Sequence, residues 1–157
     1  MQRPDKADGF TILETVVVLA IMALVLAVIV PRLTSRPLHL TADTEELAAN
    51  LQVTRGLARS RAELGGNPVR YRLRVLSTTQ YAIELGVLTG GTWTYSAERT
   101  VTLRPDIAFD AGSVGQSAAF DSRSRLVGSA VTFRVEDGAR GWSRQLVVRT
   151  TGIVEIQ

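Results

Sequence analysis

The sequence predicts an α+β protein in which a long N-terminal membrane-spanning α-helical stem packs on a C-terminal antiparallel β-rich head. Three observations carry this. An apolar run fills Phe10 to Val30, an apolar stripe recurs every three or four residues from Leu47 to Leu64, and at Val69 the period changes to two. The expected division is a polar leader over 1–9, a membrane segment over 10–30, the remaining stem over 31–66 and the head over 67–157.

From Phe10 to Val30 there are 21 residues, about 31 Å as a helix, close to the roughly 30 Å of a hydrocarbon core. Only Thr11, Glu14 and Thr15 interrupt it. A removable secretory signal is the competing explanation, but the chain continues Pro31-Arg32-Leu33-Thr34-Ser35, a poor small-x-small cleavage site. Pro31 is expected to bend or break the helix just beyond the run. Arg32 and Arg36 follow it, whereas in the leader Asp5 and Asp8 offset Arg3 and Lys6. Counting Lys and Arg alone leaves the orientation nearly balanced.

A second helix is expected from Asp43, where Asp43 and Glu46 resemble a capping box. Leu47, Leu51, Thr54, Ala58 and Ala62, widened by Leu57 and Leu64, form one face able to pack on a sheet. Gly65-Gly66 and then Pro68 close it. Arg55, Arg59 and Arg61 are read as solvated or snorkelling over that face.

Val69, Tyr71, Leu73 and Val75 alternate with Arg70, Arg72 and Arg74, which gives a strand with one apolar and one cationic side. Further strands are expected at Tyr81–Leu85, Trp93–Tyr95, Val101–Leu103, Ile107–Phe109, Val131–Val135, Gln145–Arg149 and Ile153–Ile156. Gly90-Gly91, Asp137-Gly138 and Thr151-Gly152 supply turns. Asp110 to Gly128, rich in Gly and Ser, reads as a loop or irregular edge, with Ala118-Ala119-Phe120 as its apolar cluster.

The 157 residues include 18 basic and 15 acidic ones, a net charge of +3, and no cysteine. Thiolate chemistry, disulfides and Cys-based metal centres are therefore excluded. The single histidine, His39, has no partner cluster, and the serines from Ser113 to Ser143 lack a nucleophile-elbow context. Asp106, Asp110 and Asp121 do not have the spacing of a calcium loop and read as turn formers. No enzyme and no cofactor is expected. Arg70, Arg72 and Arg74 form a candidate nucleic-acid patch, enlarged by Arg134, Arg144 and Arg149 if their strands are adjacent. Alternating arginines are equally what a solvated sheet face requires, with Glu84 and Glu136 to offset them, and that reading is preferred.

Glu14 has no such ordinary explanation. A carboxylate in an otherwise apolar helix costs several kcal/mol unless it is neutralised or paired. Cleavage before Phe10 would create an α-amine one helical turn away, able to pair with it within a subunit or from a neighbour.

The motif Gly9-Phe10-Thr11-Ile12-Leu13-Glu14, the apolar run and the stem resemble the class III signal and first helix of type IV pilins and type II secretion pseudopilins. Leu57-Ala58-Arg59-Ser60-Arg61-Ala62-Glu63 before Gly65-Gly66, Phe120-Asp121, Leu146-Val147-Val148-Arg149 and Gly152-Ile153-Val154 are similar to the late stem and closing β segments of the GspH-type minor pseudopilins, within the GspH/FimT group. The resemblance implies peptidase cleavage after Gly9, N-methylation of Phe10, and a role for Glu14 in assembly and registration of a helical filament. It implies as partners a prepilin peptidase/N-methyltransferase, other minor and major pseudopilins, an inner-membrane assembly platform and exported proteins. The expected setting is single-pass in the inner membrane, head in the periplasm, near the tip of a secretion pseudopilus. The alternative is a FimT-like minor type IV pilin in pilus initiation or DNA uptake, with nucleic acid as its partner. The nearly neutral leader departs from the family's basic pattern.

Overall fold

The computed structural model describes residues 12–34 and 38–157, with side chains over 12–27 and 38–157. The chain divides into two units, Met1–Arg36 and Pro37–Gln157. Within the first, α1 spans Ile12–Thr34 and runs through Pro31. Its described side chains are all exposed, among them Leu19, Ile21, Met22, Leu24, Val25 and Leu26. Leader residues 1–9 and Phe10 lie outside the described residues.

The expectation of a membrane-spanning stem is corrected at this point. Among the described residues no helix is long and apolar enough to cross a membrane. The transmembrane assignment of 10–30, and the single-pass inner-membrane placement with a periplasmic head that depended on it, are therefore not supported. The α+β class and the β-rich C-terminal head stand. The helical part is two separate helices.

In the second unit, α2 spans Leu38–Ser60. It begins five residues before the expected start, so Asp43 lies inside the helix, 5% exposed, and does not cap it. Leu40, Leu47, Leu51 and Ala58 form its buried face, with Thr44, Asn50 and Thr54 among them. The hydroxyls of Thr44 and Thr54 donate to the carbonyls of Leu40 and Asn50, one turn back. This satisfies two polar groups that burial would otherwise penalise.

The strands are β1 (Glu63–Leu64), β2 (Asn67–Ser77), β3 (Gln80–Thr89), β4 (Thr92–Thr102), β5 (Ile107–Phe109), β6 (Ser117–Phe120), β7 (Val131–Asp137), β8 (Trp142–Val148) and β9 (Val154–Ile156). They form two antiparallel sheets. One has the order β1-β2-β3-β4, with β6 also paired to β2; the other is β5-β7-β8-β9. Gly65-Gly66 does not end the helix. It is the turn of the β1–β2 hairpin, both residues at positive φ (58° and 80°), as are Gly90 and Gly91 (60° and 81°) between β3 and β4. Two consecutive positive φ values favour glycine at both central positions of such a turn.

The expected strands at Trp93–Tyr95 and Val101–Leu103 are joined in the single strand β4, which ends at Thr102 and carries a register shift opposite Ile83/Glu84. The expected loop at 110–128 contains β6, whose Ala118 and Phe120 face Leu73 and Tyr71 across the ladder and are fully buried. Asp110 does serve a turn, accepting from the backbone N–H of Ser113 to cap the short 3-10 turn Ala111–Ser113.

Tyr71, Leu73, Val75 and Ile83 of the first sheet join Phe133, Val135, Leu146 and Val148 of the second in one core with α2. Tyr81, 1% exposed, packs edge-on against Phe109 and accepts a hydrogen bond from the Asn50 amide at 2.7 Å. Burial pushes its phenol up to about 12, with the Asn50 hydrogen bond opposing the shift. A raised folded-state pKa gives stability that is complete below the unfolded value of roughly 10 and lost as pH rises through 12.

Wild-type protein is accordingly expected to lose about 2–3 kcal/mol of stability between pH 10 and 12 from this phenol alone. Tyr81→Phe should cost about 1–2 kcal/mol at neutral pH, by stranding the Asn50 amide, and should remove that alkaline loss. Urea unfolding at stepped pH measures both. A second expectation concerns Gly152, at φ 79°, where an added Cβ would lie 2.3 Å from the Ser124 carbonyl oxygen. Gly152→Ala should cost about 3 kcal/mol in the same assay. Gly91→Ala, which meets no atom within 4 Å, should cost about 1 kcal/mol from its positive φ alone.

Candidate functional site

Two regions carry the residues expected to matter. Glu14 stands in the first turn of α1 and is exposed, in a helix whose other described side chains, Thr15 apart, are apolar on every side. A helix apolar all round needs an apolar environment to cover it. Gly9 and Phe10, the expected cleavage and methylation positions, lie outside the described residues.

The second region is the outer face of the first sheet. Val69, Tyr71, Leu73 and Val75 are buried, which leaves Arg70, Arg72 and Arg74 on the opposite side of β2. Arg72 faces Glu84 across the β2–β3 ladder and donates to its carboxylate through Nε. The two side chains are only 18% and 10% exposed. The Arg72 guanidinium also lies 3.4 Å from the centre of the Tyr95 ring, and that of Arg70 lies 3.5 Å from the Trp93 ring. Gly86 permits this layer. Tyr95 crosses directly over it, and a Cβ there would stand 2.6 Å from the ring. Arg72 is thus charge-matched and Arg70 is stacked. Arg74 is exposed beyond both.

The proposed extension of the patch does not form as expected. Arg134, Arg144 and Arg149 belong to or adjoin the other sheet, where Arg134 pairs with Glu136 at 2.9 Å and Arg149 with Glu155 at 2.8 Å. Arg134 and Glu136 stand on one side of the same strand, two residues apart, whereas Arg149 reaches Glu155 across the turn between β8 and β9.

His39 has a partner unsuspected from its position: Nη1 of Arg104 lies 2.7 Å from its Nδ1, and Arg104 Nε is 3.6 Å from Asp43. Burial raises the Asp43 carboxyl above its usual range, with the Arg104 charge opposing. Its Oδ2 has no hydrogen-bond partner among the described residues. Asp121 accepts from the N–H groups of Arg123 and Arg125 and from the Arg125 side chain. Burial pushes that carboxyl up, but these bonds together hold it below the usual range. Among the described residues no three His, Cys, Asp or Glu side chains gather as a metal site.

Sequence comparison places a match to the prokaryotic N-terminal methylation motif at residues 5–30. No curated protein matches the chain. Among solved structures, the type IV minor pilin FimU of Pseudomonas aeruginosa aligns with a TM-score of 0.55 at 21% identity, over 75% of this chain and 92% of that one. The minor pseudopilin EpsH from the type 2 secretion system of Vibrio cholerae aligns with a TM-score of 0.53 at 12% identity, over 76% and 96%. What these two structures share with the present chain is its fold, which is pilin-like.

Proposed function

We propose that this chain is a non-enzymatic minor subunit of a pilin-like filament, processed after Gly9, methylated at Phe10 and registered in the filament by Glu14. The observation that carries the reading is the conjunction of the methylation motif over residues 5–30 with an α1 that presents apolar side chains all round and a carboxylate in its first turn. Such a helix is covered by packing against the corresponding helices of other subunits. Cleavage before Phe10 generates an α-amine one turn from Glu14, the matching charge for a carboxylate enclosed by apolar neighbours. The likeness to EpsH, with the late-stem and closing β segments described above, supports a place near the tip of a type II secretion pseudopilus, where the subunit would support protein export. The peptidase and methyltransferase, and the other subunits of that pseudopilus with its assembly platform, are the partners this reading requires.

A second reading, a minor type IV pilin acting in pilus initiation or DNA uptake, is supported by the higher identity to FimU, 21% against 12% for EpsH. Capture of the other minor subunits by the full-length chain separates the two. Secretion pseudopilins retained on it favour the first, and pilus subunits the second.

Intact mass of protein recovered from cells carrying the peptidase should correspond to a chain from Phe10 to Gln157 plus one methyl group. A chain still starting at Met1 would refute maturation. Glu14→Leu should leave cleavage intact and reduce filament incorporation about tenfold or more, the equivalent of losing at least ~1.4 kcal/mol of pairing per subunit. Immunoblotting of sheared filaments reads this out, and unchanged incorporation would remove Glu14 from the mechanism.

A further inference from the structure

Arg55 and Arg59, read from the sequence as solvated cations, meet a third arginine that lies far away in the chain. Gln52, Arg55, Gly56 and Arg59 fall on one side of α2, and the loop following β6 brings Arg123 and Ser124 to the same place. Between them is a polar concavity of about 580 Å³. Among the described residues no carboxylate lines it, and none of the ion pairs involves Arg55, Arg59 or Arg123.

The concavity is held in shape. Asp121, the acidic residue of this loop, spends its carboxylate on the backbone N–H groups of Arg123 and Arg125, at 3.0 and 2.9 Å, and on the Arg125 side chain at 3.3 Å. The loop then passes through Ser124 in the left-handed region, φ 63°, an uncommon conformation for a residue with a side chain. That conformation presents the Ser124 carbonyl to Arg55, whose Nε donates to it at 3.0 Å. Gly152 backs the same contact; a Cβ there would also come within 3.1 Å of Arg55 Nε. Arg55 is therefore fixed through Nε, and its two terminal amino groups remain as donors. Gly56 contributes no side chain, and the space where one would stand is open.

A cation at Arg59 complements the negative C-terminal end of α2. That accounts for neither Arg55 nor Arg123. Three guanidinium groups drawn together without a carboxylate create a local positive potential that a bound anion relieves. Guanidinium forks match planar and tetrahedral oxyanions. Among these, a phosphate carrying about 1.5 to 2 negative charges balances three cations better than a single carboxylate does.

We propose that Arg55, Arg59 and Arg123 form a binding site for a phosphate group, either free phosphate or the phosphomonoester headgroup of a lipid. The test uses the full-length chain in mild detergent, titrated calorimetrically with inorganic phosphate against chloride at matched ionic strength. Wild-type protein should bind about one phosphate per chain. Arg123→Gln and Arg59→Gln, which remove exposed cations that hold no other element in place, should each weaken binding about tenfold or more. Arg74→Gln on the sheet face should leave it unchanged. Circular dichroism melts of each variant establish that it is folded.

A second arm measures co-sedimentation with vesicles containing phosphatidic acid, with phosphatidylcholine vesicles as reference. Retention on phosphatidic acid that is displaced by free phosphate and lost in Arg123→Gln identifies the headgroup as the source. Phosphate binding in solution without such retention identifies free phosphate. The proposal is overturned if wild-type protein shows no phosphate binding above chloride, or if Arg74→Gln weakens binding as much as Arg123→Gln does.

Discussion

The buried face of α2 is the constraint on which the second unit depends, because two separate sheets rely on one helix for their cover. The sheets share no strand, so no β-ladder joins them. Leu47 and Leu51, both fully buried, bring the inner residues of β2 and β3 into the same cluster as those of β7 and β8. Polar groups on that face are largely satisfied at the helix itself, through the threonine hydroxyls, or by a specific partner, as Asn50 is by Tyr81. Such bonds define the rotation and register of α2 in a way apolar packing alone would leave looser. Asp43 Oδ2 is the exception, and it sits near the start of the helix.

The first sheet must also manage its outer face, where a row of arginines alternates with the core residues of β2. Cross-strand pairing places Glu84 beside Arg72, and the bare backbone of Gly86 lets Tyr95 fold over to meet the same guanidinium. Charge and aromatic surface cover one another there, so the face is finished from its own residues. The second sheet uses simpler pairs, Arg134 with Glu136 and Arg149 with Glu155. Those pairs are about half exposed, and their contribution to stability is correspondingly small.

Where period and turn chemistry were strong, the sequence was readable. The alternation at Val69–Val75 identifies β2, and Gly90-Gly91 identifies the β3–β4 hairpin, because a two-sided strand and a turn at positive φ each demand particular residues. Where residues were small or served two purposes, it was not. Ser117–Phe120 has too little side-chain bulk to stand out from a Gly/Ser-rich stretch, yet pairing with β2 makes it a strand. Asp43 fitted a cap by spacing, but residues 38–42 are already helical and turn the carboxylate inward. Gly65-Gly66 suits a helix stop and a hairpin equally, and the ladder between Leu64 and Asn67 decides the matter. At the candidate sites, Glu14 was visible because a charge interrupts an apolar run. The meeting of Arg55 and Arg59 with Arg123 was not, since it depends on the path of a loop more than sixty residues away.

A net charge of +3 spread over 157 residues describes this molecule poorly, because partners are recognised by local potential. Arg61, Arg72, Arg104, Arg125, Arg134 and Arg149 are each matched to a carboxylate, and Arg70 and Arg140 lie over tryptophan rings. Once those are discounted, three of the six remaining arginines with described side chains, Arg55, Arg59 and Arg123, meet where α2 approaches the loop after β6, at a concavity without an acidic wall. The opposite sign stands in the first turn of α1, where the Glu14 carboxylate interrupts side chains that over residues 12–27 are, Thr15 apart, apolar. In each place the composition average hides a local charge that the buried core does not use. Gathering three arginines costs repulsion that an anion relieves, and covering α1 with apolar neighbours raises the value of any opposite charge a neighbour brings to Glu14.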